Sequence, residues 1–593
     1  MKSMFPQKLI ALLSAFMALC ASAASLQSFA ASNEPELYEN SIFAPTSEEV
    51  AETDDGLRYV SGTLMVLFDA GTSEEQMRTI TEAQGGEAIG YNSALDMMQV
   101  RVSGNSYEQL RRVAQRYNAL QGVQFATPTV FADVSSVPND PWEGDLSDSS
   151  WTGNLYRDSN WNMDLINAPE AWDMLDNGIS VGASQPIRVG VIDNELDVDH
   201  PEFTQPDDDL VVRCMDDERP DRIGNARSIH GSHVAGIMAA APNNGQYITG
   251  IFQSGEVLFS QADGDIASLL VKLERMVNAG TKVINFSWGL ENGTASQAEE
   301  FAVPFALAMK KLFDSGFDDF LVVQSAGNNG HDASLNSLFA TINTSARFQA
   351  ITGCSELELQ KMMDRIVVVA AVERPDKAGG RLEYCIFSNN GPRVDVAAPG
   401  GYIVSTAPLY LSGSNGLIVM SGTSMSAAHV SGVIGLVWSA NPELTAPLVK
   451  EYLCANPLRA NGLGDDLGAP LLDAEFSVRL ALNTHIVRFD PNGGSVSPTS
   501  IIVTNGETYS AMPTPTRANY TFDGWYTASS GGAKVSPTDT VNLNGNTTLY
   551  AQWTANSQPP PAKGIFGTNA KWYGAWWHYL LFFFCFGFIW MWF

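Results

Sequence analysis

The chain has 593 residues, more than one hydrophobic core usually organises, so several domains are expected. Hydrophobic residues make up 45%, an ordinary globular share that argues against a largely disordered chain. Sixty-five acidic residues against 34 basic ones give a formal net charge of −31; such a surface repels phosphate backbones, and no nucleic acid partner is expected.

Residues 1–24 have the pattern of an export signal. Lys2 and Lys8 precede an apolar run from Leu9 to Leu19, and Ala21-Ser22-Ala23 offers small residues for cleavage. A lipoprotein signal would use Cys20, but Leu19 is bulky where that processing needs a small residue. Export predicts a disulfide-permissive compartment. Cys214, Cys354, Cys385 and Cys454 form an even set with three pairings, and the sequence does not choose among them.

Residues 56–135 read strand, helix, strand, strand, helix, strand. Ser73 with Glu74 and Glu75 opens the first helix, and Leu110, Val113, Ala114 and Tyr117 mark one face of the second. That order predicts a small ferredoxin-like α+β unit. A polar stretch with Pro138, Pro141 and Gly144 then reads as a linker. Residues 137–480 carry unalternating apolar runs at Ile187–Ile192, Lys282–Phe286, Phe320–Val323 and Arg365–Val372. Such runs suit strands buried on both faces, and helical patterns between them predict a doubly wound α/β domain with a parallel sheet. One predicted helix is capped by Asp265 and buries Ile266, Leu269, Leu270, Leu273 and Val277. Residues 486–554 form a small aromatic-rich β module, 555–571 a linker with three consecutive prolines from Pro559, and 572–593 an apolar tail long enough to span a bilayer. The tail suggests membrane or envelope attachment.

Three polar positions stand at element ends, where the sites of open α/β sheets gather. The run Ile187–Ile192 ends on Asp193. His230 leads a small-residue helix, His-Gly-Ser-His-Val-Ala-Gly, and Ser424 opens an almost wholly apolar helix through Trp438. A serine hydroxyl needs a base to act as nucleophile, an imidazole suits that role, and a buried carboxylate orients the imidazole. The strand Phe320–Val323 runs into Gln324-Ser325-Ala326-Gly327-Asn328, where Asn328 could donate to an oxyanion beside the backbone N–H of Ser424. Taken alone, each residue has a plainer use, Ser424 as a helix cap for instance. Their joint occurrence in this order decides for catalysis. Gly-x-Ser-x-Gly hydrolases are excluded, because Ser426 stands where their second glycine belongs and both acid and base precede the nucleophile.

These blocks, with Gly-Thr-Ser-Met-Ser-x-x-His-Val at 422–430, resemble the signature blocks of the subtilisin family over about residues 137–480. The resemblance implies a subtilisin-like endopeptidase acting through an acyl-enzyme on polypeptide substrates, with Asp193, His230, Ser424 and Asn328 as catalytic groups. It further implies that Ser287, Trp288 and Gly289 pair with the substrate backbone, with Ala326 and Gly327 bordering the same cleft. No cofactor is required; structural calcium is compatible with the family, and Asp207-Asp208-Asp209 is either a ligand cluster or a solvated loop. Residues 56–135 resemble the family's propeptide inhibitor, which implies an intramolecular inhibitor cleaved near Phe131–Ser136. Residues 486–554 resemble the β-grasp-like repeat of internalin-type surface proteins. One departure is notable: Asn194 and Glu195 follow Asp193 where the family has Ser or Thr and then Gly. A rival reading follows from it, a catalytically inactive surface scaffold in which the altered turn misplaces Asp193.

Overall fold

The computed structural model describes residues 42–134, 161–176, 186–455 and 468–556, apart from segments 205–209, 216–228, 245–247, 291–293, 375–381 and 410–415 and single positions 47, 55, 243 and 336. The export signal, the Asp207–Asp209 cluster, the 555–571 linker beyond residue 556 and the apolar tail lie outside the described residues. Two compact units divide the chain at Ser477/Val478.

The first unit begins with β1 (Val50–Glu52), β2 (Arg58–Phe68), helix α1 (Glu74–Ala83), β3 (Glu87–Asn92), β4 (Met97–Arg101), α2 (Tyr107–Tyr117) and β5 (Val123–Val130). The sheet order β3-β4-β2-β5 with both helices is the expected ferredoxin-like arrangement. The helix starts follow from local chemistry. Ser73 Oγ accepts from Gln76 N (3.3 Å) while Gln76 Oε1 accepts from Ser73 N (2.9 Å), a reciprocal capping box. Beyond β5 the chain continues as a short strand β6 (Asp133–Val134).

The larger sheet comprises β7 (Arg188–Asp193), β8 (Leu210–Cys214), β9 (Gly255–Gln261), β10 (Val283–Phe286), β12 (Leu321–Ser325), β13 (Ile366–Glu373), β14 (Glu383–Tyr384) and β15 (Val396–Pro399). Its order is β14-β13-β12-β10-β7-β9-β8, with β15 beside β13, and every pairing except β13–β14 is parallel. Strand β11 (Trp288–Gly289) leaves this sheet, and β16 (Ile403–Thr406) and β17 (Leu417–Met420) form a hairpin. The helices that matter for the site are α3 (His230–Ala239), α4 (Ile266–Asn278), α5 (Ala295–Asp314) and α6 (Thr423–Ala440). Asp265 caps α4 as predicted, its Oδ1 accepting from Ser268 N at 2.9 Å. Helix α6 is buried on all sides, which its apolar sequence requires.

The registers bring the site together. Ile192 pairs with Phe286, and Phe286 with Gln324, so Asp193, Ser287 and Ser325 follow in one row at the carboxyl edge. One hydrophobic core includes Leu64, Met98 and Phe125 from the N-terminal sheet and Leu270, Leu273 and Phe301 from α4 and α5. The N-terminal α+β unit is therefore docked on those two helices, with Arg111 and Glu300 paired at 3.5 Å across the boundary. The four cysteines of the described residues are not joined in disulfides, so none of the three pairings exists in this structure.

The second unit is a five-stranded sheet with order β19-β18-β22-β20-β21, made of β18 (Thr484–Asp490), β19 (Ser500–Thr504), β20 (Tyr520–Tyr526), β21 (Lys534–Val535) and β22 (Thr547–Ala555). The pair β18–β22 is parallel. Its core holds Val487, Phe489, Trp525 and Leu549, with the Phe489 and Trp525 rings 4.6 Å apart.

Candidate active site

Asp193 ends β7 fully buried, and His230 opens α3 at 2% exposure. Asp193 Oδ1 accepts from His230 Nδ1 at 2.7 Å and from Asn194 N at 2.8 Å. Asp193 Oδ2 has no hydrogen-bond partner among the described residues, so the carboxylate's orientation rests on Oδ1. With Nδ1–H committed to the carboxylate, the nitrogen that exchanges a proton with an alcohol is Nε2.

The departing turn does not displace the acid. Asn194 Oδ1 accepts from Glu195 N (2.8 Å) and from Gly231 N (3.0 Å), so one amide oxygen ties the turn after Asp193 to the residue after His230. The approach is close: a Cβ on Gly231 would lie 2.3 Å from Glu195 O, and only glycine fits there. The sequence suggested a disturbance at Asn194; the structure makes it a clamp.

Ser424 lies in the first turn of α6, fully buried, and α6 packs on α3. The first turn of a helix points N–H groups outward and concentrates positive potential, which suits a developing oxyanion. Asn328 is fixed beside it. Its Oδ1 accepts from Thr423 N and Thr423 Oγ1, both at 3.0 Å. That leaves Nδ2 as the donor end, buried and with no hydrogen-bond partner among the described residues. Ala326 and Gly327 lie on the loop leading to it. Gly327 N donates to Thr423 Oγ1 (3.1 Å), and Gly327 has φ +102, where a Cβ would strike Asn389 Nδ2 at 2.4 Å. Asn389 in turn donates to Ala326 O (2.9 Å) and accepts from Asn329 N (3.0 Å) and His331 N (2.9 Å). These partners stand some 60 residues apart along the chain, and no spacing in the sequence announces them.

Ser287, Trp288 and Gly289 follow β10 at the carboxyl edge of the sheet. Strand β11 pairs antiparallel with β6, Trp288 opposite Val134 and Gly289 opposite Asp133. On the other side, Ala132 N donates to Gly264 O at 2.7 Å and Phe131 bridges Asp265. The end of the N-terminal unit is thus threaded between two backbone segments, as an extended peptide would be.

Three other histidines, His200, His233 and His429, are held by structural partners. His233 Nε2 meets Ile403 O (3.0 Å); His429 Nδ1 meets Met425 O (2.7 Å) and its Nε2 meets Asn162 Nδ2 (2.8 Å). Burial holds both neutral, pushing His233 down to about 3 and His429 to about 4. His200 bonds Gly416 O at 2.9 Å, a partner 216 residues away. Among the described residues no group of three or more His, Cys, Asp or Glu could hold a metal ion, and no helix is long and apolar enough to cross a membrane.

Comparison with known proteins agrees with this geometry. The subtilase family profile matches residues 184–474, the fervidolysin N-terminal prodomain 45–129, and the Listeria-Bacteroides repeat domain 485–552. The thermophilic serine proteinase of Bacillus sp. (strain AK1) is 27% identical over 405 residues, covering 66% of this chain and 82% of that protein. The halolysin-like extracellular serine protease of Natrialba magadii is 24% identical over 402 residues, covering 66% and 62%. The crystal structure of fervidolysin from Fervidobacterium pennivorans, 18% identical, superposes with a TM-score of 0.50 over 77% of this chain and 69% of that one, which shows the shared fold. Residues 184–474 thus form a subtilase domain, with a fervidolysin-type prodomain before it and a Listeria-Bacteroides repeat domain after it, and the relatives are subtilisin-like serine proteases.

Proposed function

We propose that this protease is exported, is made as a precursor inhibited by its own prodomain, and hydrolyses peptide bonds with Ser424 as nucleophile, His230 as base and Asp193 as its orienting carboxylate. The observation that carries the reading is the 2.7 Å contact between buried Asp193 and His230 at the end of β7. Ser424 Oγ attacks the scissile carbonyl as His230 Nε2 takes its proton. Asp193 stabilises the imidazolium that forms, and the oxyanion is met by Asn328 Nδ2 and by N–H groups of the first turn of α6. His230 then returns the proton to the leaving amine, and water repeats the sequence on the acyl-enzyme. No step calls for a cofactor.

Ser287–Gly289 would pair with the substrate backbone in the place that Asp133 and Val134 occupy in the precursor. Inhibition is then direct occupation of the cleft. Export is supported by the Lys2–Ala23 pattern and by the extracellular relative. Envelope attachment rests on the composition of residues 572–593 alone. The test is maturation of Ser424→Ala purified in isolation. It is expected to persist as the long form still carrying Val60–Phe131; normal shortening would contradict self-processing.

A further inference from the structure

Gln324 is fully buried in β12 and makes four contacts with backbone groups. Its Nε2 donates to Trp288 O (2.9 Å) and Ser325 O (2.9 Å), with a longer contact to Phe286 O (3.4 Å); its Oε1 accepts from Phe339 N (3.2 Å). The side chain therefore reaches from the central sheet to β11, the strand that borders the cleft.

The direction of the Trp288 carbonyl has a consequence for binding. Along an antiparallel strand, residues alternate between those that exchange hydrogen bonds with one neighbour and those that turn away. Gln324 holds the Trp288 carbonyl on the sheet side, so Ser287 and Gly289 present theirs to the peptide side, where Asp133 and Val134 lie. The Trp288 ring is fixed as well, since Nε1 donates to Ile192 O (2.7 Å), the residue before Asp193. Its Cζ3 lies only 2.9 Å from where a Cβ on Gly264 would sit, and Gly264 O is the acceptor for Ala132 N. Trp288 and Gly264 thus form the two walls of the groove, and Gln324 pins one of them.

We infer that Gln324 is a positioning residue for substrate: it sets the alignment of β11 and so the advantage of extended peptides over minimal substrates. This rests on the reading that Ser424 is the nucleophile and β11 the peptide-binding strand. A buried glutamine serving only the core would affect stability and the number of active molecules, leaving substrate preference alone.

Gln324→Met fills a similar volume without the amide, and Gln324→Ala provides a second variant if the first does not fold. The self-processed enzyme is assayed with a tetrapeptide anilide and with a single-residue acyl ester that has nothing to pair with β11. Active sites are counted by fluorophosphonate titration. Leaving one buried carbonyl without its donor weakens peptide binding about tenfold, the equivalent of about 1.4 kcal/mol. KM for the tetrapeptide should rise by that factor at nearly constant kcat, because ground state and transition state lose the contact equally. Ester turnover per active site should stay within twofold. Parallel changes with both substrates, or none with either, would overturn the inference. Failure of the unsubstituted enzyme to label or to cleave the ester would instead overturn the reading beneath it.

Discussion

Replacing Asn194 with alanine removes one acceptor atom that serves two backbone donors, Glu195 N at 2.8 Å and Gly231 N at 3.0 Å. Both sites are partly buried, so each lost bond costs about 1 kcal/mol, or about 2 kcal/mol in stability together. The kinetic effect comes through Asp193. Its carboxylate depends on Oδ1 alone, and one of the two donors there is the backbone N–H of Asn194 itself. A loosened turn spreads the carboxylate over orientations that no longer meet His230 Nδ1. If about 1.4 to 2 kcal/mol of that alignment is lost in the transition state, kcat falls about ten- to thirtyfold. The assay is turnover of a peptide substrate per fluorophosphonate-titrated site, beside a thermal melt. Asn194→Asp keeps an oxygen acceptor in the same place and should recover most of the lost stability. An Asn194→Ala enzyme that matches the original in both kcat and melting temperature would refute the clamp.

Three further outcomes follow from the same geometry. Asn328→Leu keeps the bulk and removes the oxyanion donor, so kcat should fall about a hundred- to a thousandfold, the size found for one such donor in subtilisin, with KM little changed in steady-state assays. Release of the prodomain should depend on pH. Asp265, pushed up to about 7 by burial, bridges Phe131 and has Asp263 and Lys272 nearby. Glu274, facing Asn92, Arg275 and Asn278, and Glu300, facing Arg111, Thr127 and Glu108, are also raised chiefly by burial. Carboxyls raised in the complex favour it while protonated, so the hold is strongest at low pH and is lost as pH rises toward and beyond 7. Processed complex held at pH 8 should release activity about tenfold more readily than at pH 5; equal release, or the reverse, would count against it. Finally, His233 at about 3 and His429 at about 4 stay neutral in the fold while an unfolded chain protonates near 6.5. Unfolding free energy should therefore drop as pH falls from 6.5 to 4, by up to about 1.4 kcal/mol per pH unit for each histidine, read as a falling melting temperature.

The parts legible in the sequence were those written in short range. Strand runs such as Arg365–Val372 appear as β13, shifted by one residue, because burial on both faces leaves only apolar residues to use. The Ser73 and Asp265 caps were legible because a cap and its helix are neighbours. Asp193, His230 and Ser424 stood out through residue type at element ends. Long-range bonds were not legible. Asn162 meets His429 across 267 positions, and Gln324 holds Trp288 across 36, and neither follows from periodicity. Asn194 illustrates the limit well. Against the resemblance it looked like a defect, and only the placement of Gly231 N shows what its side chain does. The cysteines are similar: an even count left their pairing open, and the fold joins none of the four in a disulfide.

The claim beneath all of this is that Ser424 is an activated nucleophile. Labelling the prodomain-free enzyme with a fluorophosphonate and locating the adduct by peptide mass spectrometry tests it most directly. A single adduct on Ser424, absent in His230→Ala and in Ser424→Ala, is the predicted result. An unlabelled enzyme, or an adduct on another serine that survives Ser424→Ala, would contradict it.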